Sequence, residues 1–344
     1  MKCVAVARNA MATRFEVVAH GENEISLRAA AEEALTEIER IAAQMSLFHP
    51  QSEISRINAL AAKEPVPVEP SLFRLLQRSK TISEETGGAF DITVAPLMRC
   101  WGFVQYGGRL PDPEALAEAR ERVGMHRVEL DPEARTVRFA MPGVRLDLGA
   151  IAKGYAIEAA AELLVEAGIT SAILHGGTST VHAIGAPPEA TAWNVGIRVP
   201  ETSDRFSTTH VHASAKTGWA ETVLAVVPLK DEAMSVSAVW GRAFEVDGRV
   251  YGHVIDPRKG QPVEAAVLSA IALASATDAD ALSTALLTVG PAGHETISRL
   301  RPGTRSLVVS RDSNGSGYRH LAAGVDVSSN LLREAASGTA EKEG

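Results

Sequence analysis

Residues 276–287, ATDADALSTALL, carry oxygen-bearing side chains at helical spacing. Asp280 and Thr284 are four residues apart, so in a helix they share one face, with Ser283 beside Thr284. Carboxylate and hydroxyl oxygens are ligands that hard cations such as Mg²⁺ take, usually together with carbonyls, waters and substrate phosphates. The alternative is that Asp280 only opposes the dipole at the start of the helix, with Asp278 as the cap. The segment therefore predicts either a metal site or an ordinary helix N-terminus.

Residues 146–160, LDLGAIAKGYAIEAA, could bind an anion. We expect Asp147 to end a strand, Gly149 to form a turn, and Lys153 to lie in the first turn of a helix. A helix N-terminus offers free N–H groups and the positive end of a dipole, and a lysine adds a charge suited to phosphate. The spacing is not that of a Walker A loop. Since a lysine in a first turn is usually just solvated, the segment alone is a weak signal.

Two further segments combine aromatic or imidazole groups with hydrogen-bonding side chains. In residues 48–58, FHPQSEISRIN, Phe48 precedes several polar side chains, although Ser52 could simply be the N-cap of a short helix. In residues 251–262, YGHVIDPRKGQP, His253 lies at a predicted strand end before a Pro/Gly turn. Either segment could line a ligand site.

A glycine pair precedes an acidic residue in residues 86–103, TGGAFDITVAPLMRCWGF. Glycines allow another group to approach the backbone closely, and Asp91 directly follows Phe90. The same pattern also fits a helix C-terminus that leads into a buried strand. The sequence leaves both interpretations open here.

These segments must be positioned by elements that the hydrophobic pattern predicts. Helices are predicted over residues 24–44, 71–86, 112–123, 150–168, 276–289 and 292–300, and strands over 13–21, a meander at 125–149, 171–177 and much of 191–260. Strands outnumber helices without a regular βαβ alternation, which favours an α+β fold. No linker separates independent domains, so we predict one unit over residues 1–334, with two intertwined subdomains possible, and a disordered tail at 335–344.

Composition narrows the class of protein. The 344 residues include 34 Lys+Arg and 42 Asp+Glu, a net charge of −8, with 45% hydrophobic and 22% charged residues. These values fit a globular protein and exclude disordered and collagen-like classes. The acidic balance, without a basic cluster, argues against a nucleic-acid partner. The two cysteines, Cys3 and Cys100, form neither a disulfide framework nor a metal-type spacing.

The same sequence shows no membrane segment of its own. The N-terminal MKCVAVARNAMATRF lacks an uninterrupted apolar region, and the longest apolar stretch, residues 265–276, is too short to span a bilayer. We therefore expect a cytoplasmic protein.

Six segments, in their order along the chain, resemble the ApbE family of FAD:protein FMN transferases. They are MATRFEV, MSLFHPQSEISRIN, TGGAFDITVAPLMRCWGF, LDLGAIAKGYAIEAAAELLVEAGI, HVIDPRKGQPV and ATDADALSTALL. The resemblance implies an α+β, T-fold-like architecture of mixed or antiparallel sheets flanked by helices, with FAD in a cleft. It also implies a Mg²⁺-dependent transfer of the FMN moiety of FAD to a Ser or Thr hydroxyl of an acceptor protein, with release of AMP.

The resemblance assigns roles to individual residues. It implies FAD contacts for Met11, Phe48, Ala89, Phe90, Asp91, Asp147, Lys153 and Val254. It implies Mg²⁺ ligands at the Ala150 carbonyl, Asp280, Ser283 and Thr284, and catalytic roles for Asp280 and for His253, in proton transfer or transient phosphoryl capture. The implied acceptor is a redox subunit with a short Ser/Thr-centred motif.

Some positions depart from the family pattern. Ala12 replaces the usual glycine, Thr178 stands where many members have Asp, Gly252 precedes His253 where a second histidine is common, and Ser283 is neutral where some relatives have Asp. Two alternatives remain. One is a Mg²⁺-dependent FAD pyrophosphatase that gives FMN and AMP, since water could replace the acceptor hydroxyl at the same metal site. The other, which the departure at Thr178 motivates, is a non-catalytic FAD-binding protein.

Overall fold

The computed structural model describes residues 1–104, 107–198, 223–312 and 317–328. The predicted tail at 335–344 lies outside these residues, as does the 199–222 part of the predicted strand-rich region. Whether the chain forms a single unit stays a prediction.

The strands of the described residues follow one another in this order: β1 (Lys2–Ala10), β2 (Thr13–Gly21), β3 (Val66–Pro67), β4 (Val128–Asp131), β5 (Thr136–Phe139), β6 (Ala172–Gly176), β7 (Thr180–Ile184), β8 (Trp193–Arg198), β9 (Val223–Leu229), β10 (Glu232–Ala238), β11 (Ala243–Val246), β12 (Arg249–Gly252), β13 (Ile255–Asp256), β14 (Gln261–Pro262), β15 (Leu268–Leu273), β16 (Arg305–Arg311) and β17 (Tyr318–Ala323). The helices are α1 (Glu24–Met45), α2 (Glu53–Leu60), α3 (Pro70–Glu85), α4 (Ala95–Cys100), α5 (Pro113–Glu121), α6 (Ala152–Glu166), α7 (Ala276–Val289) and α8 (His294–Ser298).

An eight-stranded sheet lies at the centre, in the order β1-β2-β6-β7-β10-β15-β16-β17. Every neighbouring pair in it is antiparallel. Successive side chains of a strand point to opposite faces, and in β2 the buried residues are accordingly Phe15, Val17 and Ala19. The prediction of an α+β fold with antiparallel sheets is confirmed.

Helix α6 packs against both α1 and α7, and the three helices cover one face of this sheet. Helix α1 starts where the Asn23 side chain accepts hydrogen bonds from the amides of Ile25 and Ser26, and its buried residues recur at helical spacing. The main cluster of buried apolar side chains lies between these helices and the sheet. It fixes the helices against the strands that carry the site.

A second cluster lies on the opposite face of the sheet, where β8 and β9 form a separate two-stranded sheet. Neighbouring residues of β10 show the division, because Ala233 belongs to the main cluster and Met234 to the second. A third cluster joins α4 and α5 to the β11–β12 ribbon through Trp101, Phe103 and Phe244. Trp101 and Phe103 are therefore core residues, 2% and 7% exposed.

Two local predictions were wrong in detail. The helix predicted over residues 71–86 is α3, which begins at Pro70 because Glu69 is its N-cap and its carboxylate accepts from the amides of Ser71 and Leu72. The predicted meander forms only β4 and β5, so that Asp147 lies in an irregular segment instead of ending a strand. The bounds of α7 agree with the prediction. No helix among the described residues is long and apolar enough to cross a membrane.

Candidate functional site

The oxygen-bearing side chains of α7 meet strand β10. The Ser235 hydroxyl donates to Asp280 Oδ1 at 3.1 Å, and Ser237 Oγ lies 2.8 Å from Ser283 Oγ and 3.2 Å from Thr284 Oγ1. Alternate residues of a strand share a face, as do residues three and four apart in a helix, so the two elements align these groups in register. The structure thus brings together three of the side chains that the sequence predicts as metal ligands. We call Ser235, Ser237, Asp280, Ser283 and Thr284 the oxygen cluster.

Helix α6 approaches α7 at Gly154. The Gly154 amide donates to Asp280 Oδ2 at 2.9 Å. A Cβ at position 154 would overlap the carbonyl oxygen of Ala276 and would lie 2.7 Å from Asp280 Cβ, so only glycine permits this approach. Gly154 is the third residue of α6, so its amide is one of the first amides of the helix, which have no acceptor within the helix. Among the described residues no backbone or side-chain donor to the carbonyl of Ala150, which precedes the N-cap Ile151, is found.

The donor atoms of this region suit a hard cation. The Asp280 carboxylate, the Ser283 and Thr284 hydroxyls and the Ala150 carbonyl are all oxygens, the ligand type that Mg²⁺ takes. In the part of the chain that the structure describes, no group of three or more His, Cys, Asp or Glu residues could hold a metal ion. With a single carboxylate, these residues fit a cation whose remaining charge is balanced by substrate phosphates.

His253 is held in one orientation by a backbone carbonyl. Its amide and its Nδ1 both lie within hydrogen-bond distance of the Arg242 carbonyl oxygen, at 2.9 and 3.1 Å. Because a carbonyl can only accept, we assign the proton of the neutral ring to Nδ1, which leaves Nε2 as an acceptor. Burial lowers the pKa of His253 to about 4, and the positive charges of Arg242 and Lys153 act in the same direction. The ring is therefore neutral at pH 7.

Asp147 lies close to the positive charge of Arg242. Its carboxylate accepts from the Gly149 amide at 2.8 Å, and its own amide donates to the carbonyl of Ile92 at 2.6 Å. Burial raises the pKa of Asp147, whereas the Gly149 amide and the charge of Arg242 lower it. Asn58 holds the preceding residue, because its side chain donates to the Leu146 carbonyl at 3.0 Å and accepts from the Leu146 amide at 2.7 Å. Asn58 therefore positions the backbone beside Asp147.

The predicted FAD-contacting segment at Ala89–Asp91 is largely buried. Ala89 and Phe90 are each 1% exposed. The Asp91 carboxylate accepts from the amide and hydroxyl of Thr93 at 2.7 and 2.6 Å and from the Met125 amide at 3.0 Å. Burial raises the pKa of Asp91, and these hydrogen bonds oppose the rise. With these side chains engaged, the segment can offer a ligand chiefly its backbone.

An open cleft of about 760 Å³ lies beside this segment. Its lining includes Gly87, Gly88 and Asp91 and the cationic side chains of Arg120 and Arg258. The Arg258 guanidinium is already paired with Asp256, at 2.9 Å for each of two bonds. The cleft is thus mixed in charge rather than purely cationic.

Met11 lies in the tight turn between β1 and β2. Met11 and Ala12 have φ values of 48° and 59°, the left-handed conformation that a two-residue type I′ hairpin turn requires at both positions. Met11 packs partly against the main cluster. Ala12, which stands where the family pattern has glycine, therefore carries a steric penalty in this conformation that glycine would not.

Phe48 is 72% exposed, in the loop before α2. The Ser46 hydroxyl accepts from the amides of Phe48 and His49, each at 3.2 Å, and the Ser52 hydroxyl donates to the Ser46 carbonyl at 2.6 Å. Ser52 is also the N-cap of α2, as one interpretation of the sequence predicted. The aromatic face of Phe48 is free to stack on a planar group. No hydrogen bond among the described residues joins Met11 or Phe48 to the oxygen cluster.

Val254 and Gly252 flank His253. Val254 is half-buried, packs against the main cluster, and accepts from the Val263 amide at 2.8 Å. A Cβ at Gly252 would lie 2.7 Å from the Val239 carbonyl oxygen. The glycine that replaces a common histidine in the family pattern thus lets the β10–β11 connection approach the strand before His253.

The sequence interpretation missed Ser235, Ser237 and Arg242. The signal for the two serines was present, because Ser-Val-Ser in a strand places both on one face. Thr180 Oγ1 lies 3.0 Å from Ser235 Oγ and extends this polar row into β7. Arg242 gave no such signal, since its contact with His253 is made through the main chain.

A family model described as the ApbE family matches residues 11–308. The chain belongs to the ApbE family. A protein named FAD:protein FMN transferase from Treponema pallidum is 32% identical over 300 residues, which covers 83% of this chain and 78% of the relative. One of the same name from Haemophilus influenzae is 29% identical, covering 84% and 81%. The crystal structure of the ApbE protein from Thermotoga maritima superposes with a TM-score of 0.77 at 28% identity, covering 89% of this chain and 94% of that one.

Proposed function

We propose that this chain is an FAD:protein FMN transferase, which moves the FMN moiety of FAD onto an acceptor protein and releases AMP. Its membership of the ApbE family and its similarity to relatives of that name support this activity. The observation that carries the proposal is the Asp280 carboxylate, held between the Gly154 amide and the Ser235 hydroxyl beside two further hydroxyls. The acceptor group is a Ser or Thr hydroxyl, in a redox subunit.

The Asp280 carboxylate, the Ser283 and Thr284 hydroxyls and the Ala150 carbonyl are the proposed ligands of Mg²⁺. A bound Mg²⁺ offsets the negative charge that develops on the pyrophosphate during transfer. Asp280 is fixed by two hydrogen bonds that each leave a lone pair on its oxygen, so the carboxylate is oriented before any cation binds. This preorganisation supports a role in chemistry beyond helix stability.

Lys153 is proposed to bind the phosphates of FAD, and Met11, Phe48, Val254 and the backbone of residues 89–91 to hold its ring systems. Asp147 lies next to this segment through the hydrogen bond between its amide and the Ile92 carbonyl. Phe48 is suited to stacking because most of its ring is exposed.

The acceptor hydroxyl attacks the phosphorus on the FMN side of the pyrophosphate. A phosphoester bond forms, the anhydride bond to the AMP phosphate breaks, and AMP leaves with the electron pair. The hydroxyl proton passes to Nε2 of His253, which is unprotonated in the neutral ring. Binding of an anionic pyrophosphate near His253 raises its pKa from the value in the free protein, which strengthens it as a base.

The test is to incubate the purified protein with FAD and Mg²⁺, with and without a peptide that carries a Ser/Thr acceptor motif, and to follow AMP and FMN by chromatography. We expect AMP only with the peptide, whose mass rises by one FMN moiety. Free FMN and AMP without peptide would instead establish a pyrophosphatase. Intact FAD with every acceptor, including host-cell extract, would contradict both activities.

Asp280→Ala tests the metal assignment in the same assay. We expect it to abolish turnover, because the only carboxylate of the oxygen cluster is removed. The matched control is Asp131→Ala, which also removes a carboxylate that accepts from backbone amides, but at the exposed end of β4. Turnover retained in Asp280→Ala would exclude this assignment.

A further inference from the structure

The first turn of α7 is held by ionised side chains from other elements. Asp278, 4% exposed, accepts at Oδ1 from Arg78 Nε at 2.7 Å and at Oδ2 from Arg301 Nε at 2.6 Å. Arg78 belongs to α3, and Arg301 follows α8. Both oxygens of this buried carboxylate are therefore engaged by guanidinium groups, and Asp278 is not the helix cap that the sequence allowed.

Glu158 of α6 contacts the same turn. Its Oε2 accepts from the Thr277 amide at 2.8 Å and from the Ser275 hydroxyl at 2.5 Å, and its Oε1 accepts from Arg78 Nη1 at 3.3 Å. Ser275 is the N-cap of α7, and its hydroxyl also accepts from the Asp278 amide at 3.1 Å and from Arg78 Nη2 at 2.7 Å. The hydroxyl thus makes one donor and two acceptor bonds, which fully satisfies it.

Arg301, at the far end of this network, is paired with a second carboxylate. Arg301 Nη1 and Nη2 donate to the two carboxylate oxygens of Glu85, at 3.1 and 2.8 Å. The network consequently ties α7 to α3, α6 and the segment after α8. Paired planar groups of this kind fix relative geometry as well as charge.

Helix α6 thereby contacts α7 at two points one turn apart. Gly154 donates to Asp280, and Glu158, four residues later, accepts from Thr277. Asp278 precedes Asp280 by two residues, about 3 Å along the helix axis. A shift of the first turn by a fraction of that distance would break the 2.9 Å bond between Gly154 and Asp280.

We propose that Asp278, together with Arg78 and Arg301, is a positioning residue that sets where α7 lies along α6 and so orients Asp280. Well-packed apolar residues often stabilise a protein at least as well as a buried ion pair, so stability alone does not call for this network. The network of Asp278, Arg78 and Arg301 fixes the distance between α6 and α7, which apolar contacts specify less sharply. The part of this inference that treats Asp280 as a metal ligand rests on the proposed function.

Asp278→Asn is the test, because it keeps the shape of the side chain and removes the charge that pairs with two guanidinium groups. We expect the dissociation constant of Mn²⁺, measured by electron paramagnetic resonance in the absence of FAD, to rise about 10- to 100-fold. We also expect the Gly154 amide, whose protection reports its bond to Asp280, to exchange faster with solvent. Arg301→Gln should reproduce both effects.

The control is Ser306→Ala, which breaks the buried contact between Ser306 Oγ and His294 Nε2, 2.9 Å apart, outside the oxygen cluster. It should lower the melting temperature without changing Mn²⁺ affinity or Gly154 exchange. Unchanged values in a folded Asp278→Asn, or equal changes in Ser306→Ala, would overturn the inference. If the wild-type protein does not bind Mn²⁺, the proposed metal site fails, and Gly154 exchange still decides the positioning role.

Discussion

His253 combines a fixed orientation with a pKa far from that of an ordinary histidine. The Arg242 carbonyl holds Nδ1, and burial with two nearby cations keeps the ring neutral. A neutral imidazole with a free Nε2 can accept a proton at physiological pH without first losing one. The positive charge of Lys153, the residue proposed to bind the phosphates of FAD, thus also lowers the pKa of His253, as does that of Arg242.

This environment predicts an unusual pH dependence. The base form of His253 is lost only as the pH falls towards about 4, whereas an ordinary histidine would be protonated below about 6.5. We therefore expect kcat/KM for FAD, which reports on the free enzyme, to stay flat from about pH 7.5 down to about pH 5.5. A decline in kcat/KM that is centred at about pH 6.5 and that His253→Gln removes would contradict this assignment.

Ala12 is strained in the β1–β2 turn, since its φ is 59°. Ala12→Gly should raise the free energy of unfolding by about 0.5 to 1 kcal/mol, because the relief of left-handed strain exceeds the added entropy of the unfolded chain. Urea denaturation measures the change. Ala5→Gly, at an exposed position of β1, is the matched control and should lower the free energy of unfolding by a similar amount. A change of the same sign in the free energy of unfolding of both variants would disprove strain at Ala12.

At the scale of elements, the crossing of α6 and α7 decides the geometry of the oxygen cluster. The glycine at the crossing lets its own amide, one of the first amides of α6 and without an acceptor in the helix, donate to Asp280. One residue thus orients the carboxylate among the proposed ligands. Strand β10 completes the arrangement from the other side through Ser235 and Ser237.

Gly154→Ala should force the two helices apart, because the added Cβ has no space against Ala276 and Asp280. We expect the free energy of unfolding to fall by about 1 to 3 kcal/mol, as in other overpacked cores. The free energy of Mn²⁺ binding should fall by a larger fraction of its wild-type value. Gly196→Ala in β8 is the control, since its Cβ would meet Val223 only at 3.4 Å, an ordinary contact. Mn²⁺ binding at the wild-type level in both variants would show that the close approach of the helices at Gly154 does not orient Asp280.

On the scale of the whole molecule, the apolar clusters of the described residues support different parts of the site. The main cluster holds α6 and α7, the second backs the opposite face of β10, and the third holds the ribbon that leads to His253. Val239 packs against both the main and the second cluster. The site therefore depends on the relative placement of all three.

Trp101 tests the contribution of the third cluster. Its Nε1 donates to the carbonyl of Gly260, next to the β13–β14 hairpin, at 2.8 Å. Trp101→Phe should reduce the free energy of unfolding by about 1 to 3 kcal/mol, because a buried carbonyl loses its donor. Trp193→Phe removes a longer, 3.3 Å bond to Ile184 at a half-buried position and should cost less. Denaturant unfolding of both variants would reveal any reversal of this order.

Local features were predictable from local sequence. The start and end of α7, the N-cap role of Ser52 and the shared face of Asp280, Ser283 and Thr284 all follow from residue type and helical spacing. Asp147 was misplaced because its segment is held by Asn58, 88 residues away, rather than by a strand ladder. A hydrophobic pattern does not contain such a contact.

The sequence by itself determined which chemical groups are available: a carboxylate, hydroxyls and a lysine beside a glycine at a helix start. Only the tertiary structure decided how they are used. The amide of Gly154 meets Asp280 across 126 residues of chain, and a main-chain carbonyl selects the tautomer of His253. Both depend on directional contacts of a few ångströms between separate elements, and close packing of the whole core sets those distances.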